Sequence, residues 1–189
     1  MNHKDMILRT PCAERICHWL MVICFMLVAL SGLSWFFPSM SWLSSVLGTP
    51  QLARILHPFL GVVVFLALMF LFVRLVKYNL PEPEDRLWFA NVKDVLMGRH
   101  NKALHVGKYN AGQKLLFWGI MSLITLLLIS GVLIWRPYFA PWFPIPVIRV
   151  GALMHSLTGI CLILLIMGHA YMGFWVKGSI GGMVTGYVS

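Results

Sequence analysis

The sequence predicts an all-α integral membrane protein, a four-transmembrane-helix bundle with its N- and C-termini cytoplasmic. Three observations predict it. The composition is 59% hydrophobic and 11% charged over 189 residues, which falls outside the range of a water-soluble domain. Four apolar runs, at about 17–37, 54–76, 114–135 and 149–176, are each long enough to cross roughly 30 Å of hydrocarbon as a helix. The basic residues are one-sided: of the 15 Lys and Arg, only Arg54, Arg136 and Arg149 fall on the side of the short 38–53 and 136–148 loops. By the positive-inside rule those loops face the periplasm of a bacterial inner membrane.

The elements follow in order. The first fifteen residues are polar, and the run that follows is longer than a signal-peptide core, so it is expected to stay as a helix. Trp35, Phe36, Phe37 and Trp42 mark its outer end, and Trp135, Tyr138, Trp142 and Phe143 mark the outer end of the third run. Trp19, Trp118, Tyr171 and Trp175 mark the inner interface. These are the aromatic belts of any multi-pass protein. The inner loop at 77–113 opens with Pro81 and Pro83. Its Trp88, Phe89, Val92, Val95 and Leu96 fall on one face of a helix expected to lie along the cytoplasmic interface. Residues 1–189 thus read as a single membrane domain.

Several function classes drop out. The net charge is +9, but 12 of the 15 basic residues gather on one membrane side and form no stripe for nucleic acid. Cys12, Cys17, Cys24 and Cys161 have neither Cys-x-x-Cys nor iron–sulfur spacing and read as small packing residues. His3, His100 and His105 lie in polar segments and are expected to be solvated.

Four other histidines carry the chemistry. An intramembrane ionisable residue is costly unless something binds it. His18 opens the first run and His169 closes the fourth, which places both at the cytoplasmic level. His57 opens the second and His155 enters the fourth from the periplasm, which forms a second layer. His155 and His169 are fourteen residues apart, about 21 Å of helical rise and about 40° short of four turns, so one helix offers one imidazole to each layer. Two axial imidazoles per layer suit an electron-transferring haem iron. Zinc wants three or four close ligands, and no Asp, Glu or Cys set stands near either pair. Gly61 and Gly159, each four residues beyond an outer histidine, leave flat surface for a porphyrin. Arg15 and Arg54, each three residues before a histidine, are candidate partners for haem propionates. Met154 and Met167 are conceivable ligands made unnecessary by the complete histidine set. An internal echo accompanies this pattern: Ser31-Gly32 and Ser130-Gly131 are each followed by Trp, then Pro, then a histidine of the outer layer.

These residues resemble the cytochrome b556, or gamma, subunit of bacterial respiratory formate dehydrogenase. The similarity runs through "ERICHW" around His18, "GTPQLARILHPFLG" around His57, "VGKYNAGQK" at 106–114, "SGVLIWRPYFAP" at 130–141 and "HAYMGFWVKGSI" from His169. It implies two b-type haems, one held by His57 and His155 near the periplasm and one by His18 and His169 near the cytoplasm. It also implies a quinone site, for menaquinone or ubiquinone, at Asn110, Gly112, Gln113 and His169. From the residues alone that stretch reads equally as a helix start capped by Asn110. The implied partners are an iron–sulfur beta subunit with its own membrane helix and a molybdenum- or tungsten-containing catalytic alpha subunit. The heterotrimer they form with this chain, set among membrane lipids, could assemble further. Formate oxidation would belong to the alpha subunit, so this chain contributes no residue to it. The rival readings are the cytochrome b of a hydrogenase or other respiratory dehydrogenase and, from a different class, a haem-free helical anchor or transporter.

Overall fold

The structure is a computed structural model and describes residues 7–96, 107–176 and 178–188. Its four long helices are α1 (Cys12–Phe36), α2 (Pro50–Leu75), α5 (Ala111–Ile134) and α6 (Ile145–Trp175). All four are long and apolar enough to cross a membrane, and only 11–17% of the most apolar stretch of each is buried inside the chain. Such exposure of apolar surface is untenable in water and expected in lipid.

Each helix starts a few residues ahead of its apolar run, and at α2 and α5 the first turn is built from side-chain capping that hydropathy does not register. At α2 the Thr49 hydroxyl accepts the Leu52 amide at 3.1 Å, with Pro50 in the first turn. At α5 Asn110 and Gln113 form a reciprocal capping box, Gln113 N to Asn110 Oδ1 at 2.9 Å and Asn110 N to Gln113 Oε1 at 3.0 Å. Pro58, inside α2, withholds the amide that would otherwise bond the Arg54 carbonyl.

The bundle is two antiparallel hairpins. α1 packs along α2 and α5 along α6, while α2 meets α5 and α1 meets α6 to close the ring. At mid-height all four helices contribute to a buried apolar layer of Cys24, Val64, Leu68, Met121, Ile124 and Leu162. Cys17 also ties α1 to α2, its thiol donating to the Ala67 carbonyl at 3.3 Å.

At the end of the bundle that carries both chain termini, the loop after α2 is docked. The Trp118 indole donates to the Asn79 carbonyl at 2.9 Å, and buried Lys114 pairs with Glu82 and Asp85 at 2.8 and 3.1 Å. The expected single interfacial helix is divided into α3 (Glu84–Ala90) and α4 (Val92–Leu96). Asn91 makes the break: its side-chain amide bonds back to the Leu87 carbonyl at 2.8 Å, a local alternative to helix continuation. Trp88 and Val92 are half-buried and Phe89 is exposed, so they do not form one continuous buried face. The side chains of Val95 and Leu96, with His3, His100 and His105, lie outside the described residues.

A short segment after α6 returns to the start of the chain. α7 (Ser179–Val184) leads into β2 (Tyr187–Val188), which pairs antiparallel with β1 (Ile7–Leu8). The Gly186 carbonyl accepts the amides of Arg9 and Thr10, Arg15 Nη1 donates to the Thr185 carbonyl at 2.6 Å, and the Trp19 indole donates to the Met183 carbonyl at 3.0 Å. This clasp sits over the first turns of α1.

Candidate functional site

The bundle brings the four intramembrane histidines together as two pairs. His57 on α2 and His155 on α6 have ring centres 6.3 Å apart with planes at 60°, and His18 on α1 and His169 on α6 are 6.5 Å apart at 62°. An imidazole nitrogen binds a transition metal at about 2.0 Å, and the ring centre lies about 1.1 Å behind it. Two axial rings on one iron therefore stand about 6.2 Å apart. Both pairs meet that spacing.

Serines on α1 and α5 face the Nδ1 atoms of the His57 and His155 pair. Ser31 Oγ lies 2.8 Å from His57 Nδ1, and also 2.9 and 3.0 Å from the Leu27 and Val28 carbonyls one turn back. Those carbonyls can only accept, so a hydroxyl that gives its hydrogen to one of them accepts from a ring protonated at Nδ1, the tautomer a metal-ligating Nε2 requires. The same arrangement recurs at His155, where Ser130 Oγ lies 3.1 Å from Nδ1 and 2.6 Å from the Leu126 carbonyl. With the proton on Nδ1, each Nε2 keeps a lone pair for a metal.

The glycine that follows each serine gives the ring its room. A Cβ at Gly32 would sit 3.5 Å from His57 Cε1, and one at Gly131 would sit 3.2 Å from His155 Cε1. Trp35 closes the other side of the outer pair, 4.9 Å from the His57 ring. The Ser-Gly echo in the sequence is thus a repeated histidine seat. Its spacing was legible, but the contact between a serine and a histidine some 25 residues onward depends on how each hairpin packs.

The remaining candidates divide. A Cβ at Gly61 would meet nothing within 4 Å, and one at Gly159 would meet only Leu127 at 3.9 Å, so both surfaces are open for a flat ligand. Arg15 uses one guanidinium nitrogen on Thr185, and its fork keeps further donors; Arg54 is exposed. Asn110 and Gln113 spend their amide oxygens on the α5 cap, which leaves their NH2 groups as donors. Gly112 has a packing role that the sequence did not show: a Cβ there would press on the Trp88 ring at 2.8 Å. Met154 and Met167 are exposed. Among the described residues, no three His, Cys, Asp or Glu side chains come together in a metal-binding group. Each layer thus offers two imidazoles, and the outer one adds the open glycine surfaces that a flat ligand would need.

Apolar spanning helices with paired imidazoles at two levels define a membrane cytochrome b. The model of the family described as prokaryotic cytochrome b561 matches residues 9–186, and the chain belongs to that family. Its relatives include the Escherichia coli K12 nitrate-inducible formate dehydrogenase cytochrome b556(Fdn) subunit, 56% identical over all 189 residues and 87% of the relative's length. The cytochrome b556(fdo) subunit of formate dehydrogenase from the same strain is 47% identical, with 89% of its length covered. The cytochrome b556 subunit of formate dehydrogenase from Haemophilus influenzae is 45% identical, with 79% covered. The chain is accordingly a multi-pass protein of the bacterial inner membrane.

Proposed function

We propose that this chain is the diheme cytochrome b subunit of a formate dehydrogenase, passing electrons from a periplasmic iron–sulfur subunit to a quinone at the cytoplasmic side. The observation that carries the reading is the spacing of the two histidine pairs, 6.3 and 6.5 Å between ring centres. Haem b, when bound, supplies one-electron redox chemistry. His57 and His155 would hold one group near the periplasm, and His18 and His169 the other near the cytoplasm. Arg15 and Arg54 would meet the propionates.

The Asn110 and Gln113 NH2 groups, beside Gly112 at the start of α5, are donors suited to quinone carbonyls at the inner interface. Reduction of the quinone takes two electrons and two protons, and drawing those protons from the cytoplasm contributes to the proton-motive force. Moving an electron inward opposes the membrane potential by about 2.3 kcal/mol per 100 mV, which a strongly reducing donor such as formate can overcome. Formate oxidation falls to a molybdenum- or tungsten-containing partner, joined through an iron–sulfur subunit with its own membrane helix.

The test is a reduced-minus-oxidised spectrum of the purified complex, with haem quantified per copy of this chain. Two low-spin b-type haems reducible by formate are expected. His155→Ala is expected to lose one of them and keep the other, and retention of both in that variant would overturn the ligand assignment.

A further inference from the structure

The two histidine pairs are held differently by the protein around them. Both rings of the outer pair have Nδ1 within hydrogen-bond distance of a serine oxygen that also reaches a backbone carbonyl, and with Nε2 on a metal each Nδ1–H donates to that serine. In the other pair, His18 Nδ1 is buried and finds no hydrogen-bond partner among the described residues, and His169 is exposed on α6. The difference is built into the helices. Ser31 is fully buried and Ser130 nearly so, whereas His18 has Cys17, bonded to Ala67, and Trp19, bonded to Met183, on either side.

A hydrogen bond from the far nitrogen of a ligating imidazole makes the near nitrogen a stronger electron donor. Stronger donation favours the ferric over the ferrous state and lowers the reduction potential. Two such bonds act on one layer, and among the described residues no acceptor meets His18 Nδ1 in the other. We infer that Ser31 and Ser130 are positioning residues that set the His57–His155 site to a lower reduction potential than the His18–His169 site. Electrons entering at the serine-held layer would then pass downhill to the layer nearer Asn110 and Gln113. The direction of flow is thereby written into two hydroxyl groups. This inference rests on the ligand assignment proposed above.

Redox titration of the purified complex, followed in the visible haem bands, tests it. The component that disappears in His155→Ala identifies the serine-held site, and that component is expected to have the lower midpoint in the unmodified protein. Ser31→Ala and Ser130→Ala are each expected to raise that midpoint while the other component stays fixed. The double variant is expected to favour the reduced form about tenfold, which for a one-electron couple is about 59 mV. Ser130→Thr, which keeps the hydroxyl, is expected to restore the original midpoint. The low-spin ferric resonance of the same site, whose g-values follow the angle between its two axial rings, should shift only in the alanine variants.

The inference is overturned if both alanine variants bind two haems and leave both midpoints unmoved, or if the component lost in His155→Ala has the higher midpoint. Retention of both haems in His155→Ala would instead overturn the ligand assignment and this inference together, so the two failures are distinguishable.

Discussion

Lys114 shows how much depends on single side chains where a helix leaves the apolar layer. It is buried in the first turn of α5, and its ammonium is held by Glu82 and Asp85 from the preceding loop. Burial alone would raise the Asp85 carboxyl, but the Glu82 amide and the Lys114 ammonium bond to it and hold it below its ordinary value. A carboxyl depressed on folding stabilises the folded state above its unfolded pKa, and that contribution fades as pH falls through the depressed value. Docking of the loop should therefore be level between pH 8 and 5 and weaken below about pH 4, as Trp88 fluorescence in the detergent-solubilised protein would report. Lys114→Met is expected to cost about 1.5–3 kcal/mol, the range for hydrogen bonds to charged groups, read as a lower unfolding temperature. The sequence placed Lys114 among cytoplasmic charges and said nothing of its burial, because its two carboxylate partners lie about 30 residues away and reach it only through the loop's path. The four histidines were legible for the opposite reason: an imidazole inside an apolar run is conspicuous whatever it packs against.

At the scale of elements, the clasp between the two ends of the chain depends on one backbone conformation. Gly186 has φ of +90°, a region that L side chains rarely adopt. A Cβ there would also run into the Arg15 guanidinium and approach the Thr10 carbonyl at 2.8 Å. Gly186→Ala should therefore open the β1–β2 pair and free Arg15 and Trp19, at a cost of about 1–3 kcal/mol. Hydrogen exchange at the amides of Arg9 and Thr10 is expected to accelerate, while the long helices keep their protection. Nothing in the hydropathy pattern announces this clasp, since two-residue strands carry no periodicity to detect. The division of the interfacial segment at Asn91 was hidden similarly: the apolar spacing continues across it, and only the side chain's bond to Leu87 ends the first helix. The spanning helices were readable to within a turn or so because hydrocarbon demands about 20 apolar residues and tolerates no other backbone there.

For the whole molecule, charge asymmetry makes a prediction about sidedness. Alkaline phosphatase fused within the 38–53 loop is expected to be active, and the same reporter fused at the chain's C-terminal end inactive; the reverse pattern would invert every statement about inner and outer layers. The four spanning helices and the grouping of the histidines into two pairs were legible in the sequence. The lateral order of the helices was not, because lipid-facing and bundle-facing residues are equally apolar and no polar stripe marks the interior. The buried mid-height layer acquires a further meaning from this arrangement. Leu162 lies midway between His155 and His169 on α6, so about 21 Å of helix separates the two sites, most of the hydrocarbon thickness of about 30 Å. Apart from the Cys24 thiol, the side chains there are hydrocarbon or thioether and offer nothing on which a proton could rest. Electrons can tunnel through such packed matter, and hydrated ions cannot follow. On the proposed function the bundle is a conductor sheathed in its own insulator, and a voltage built up across the membrane would not short-circuit along the path that generates it.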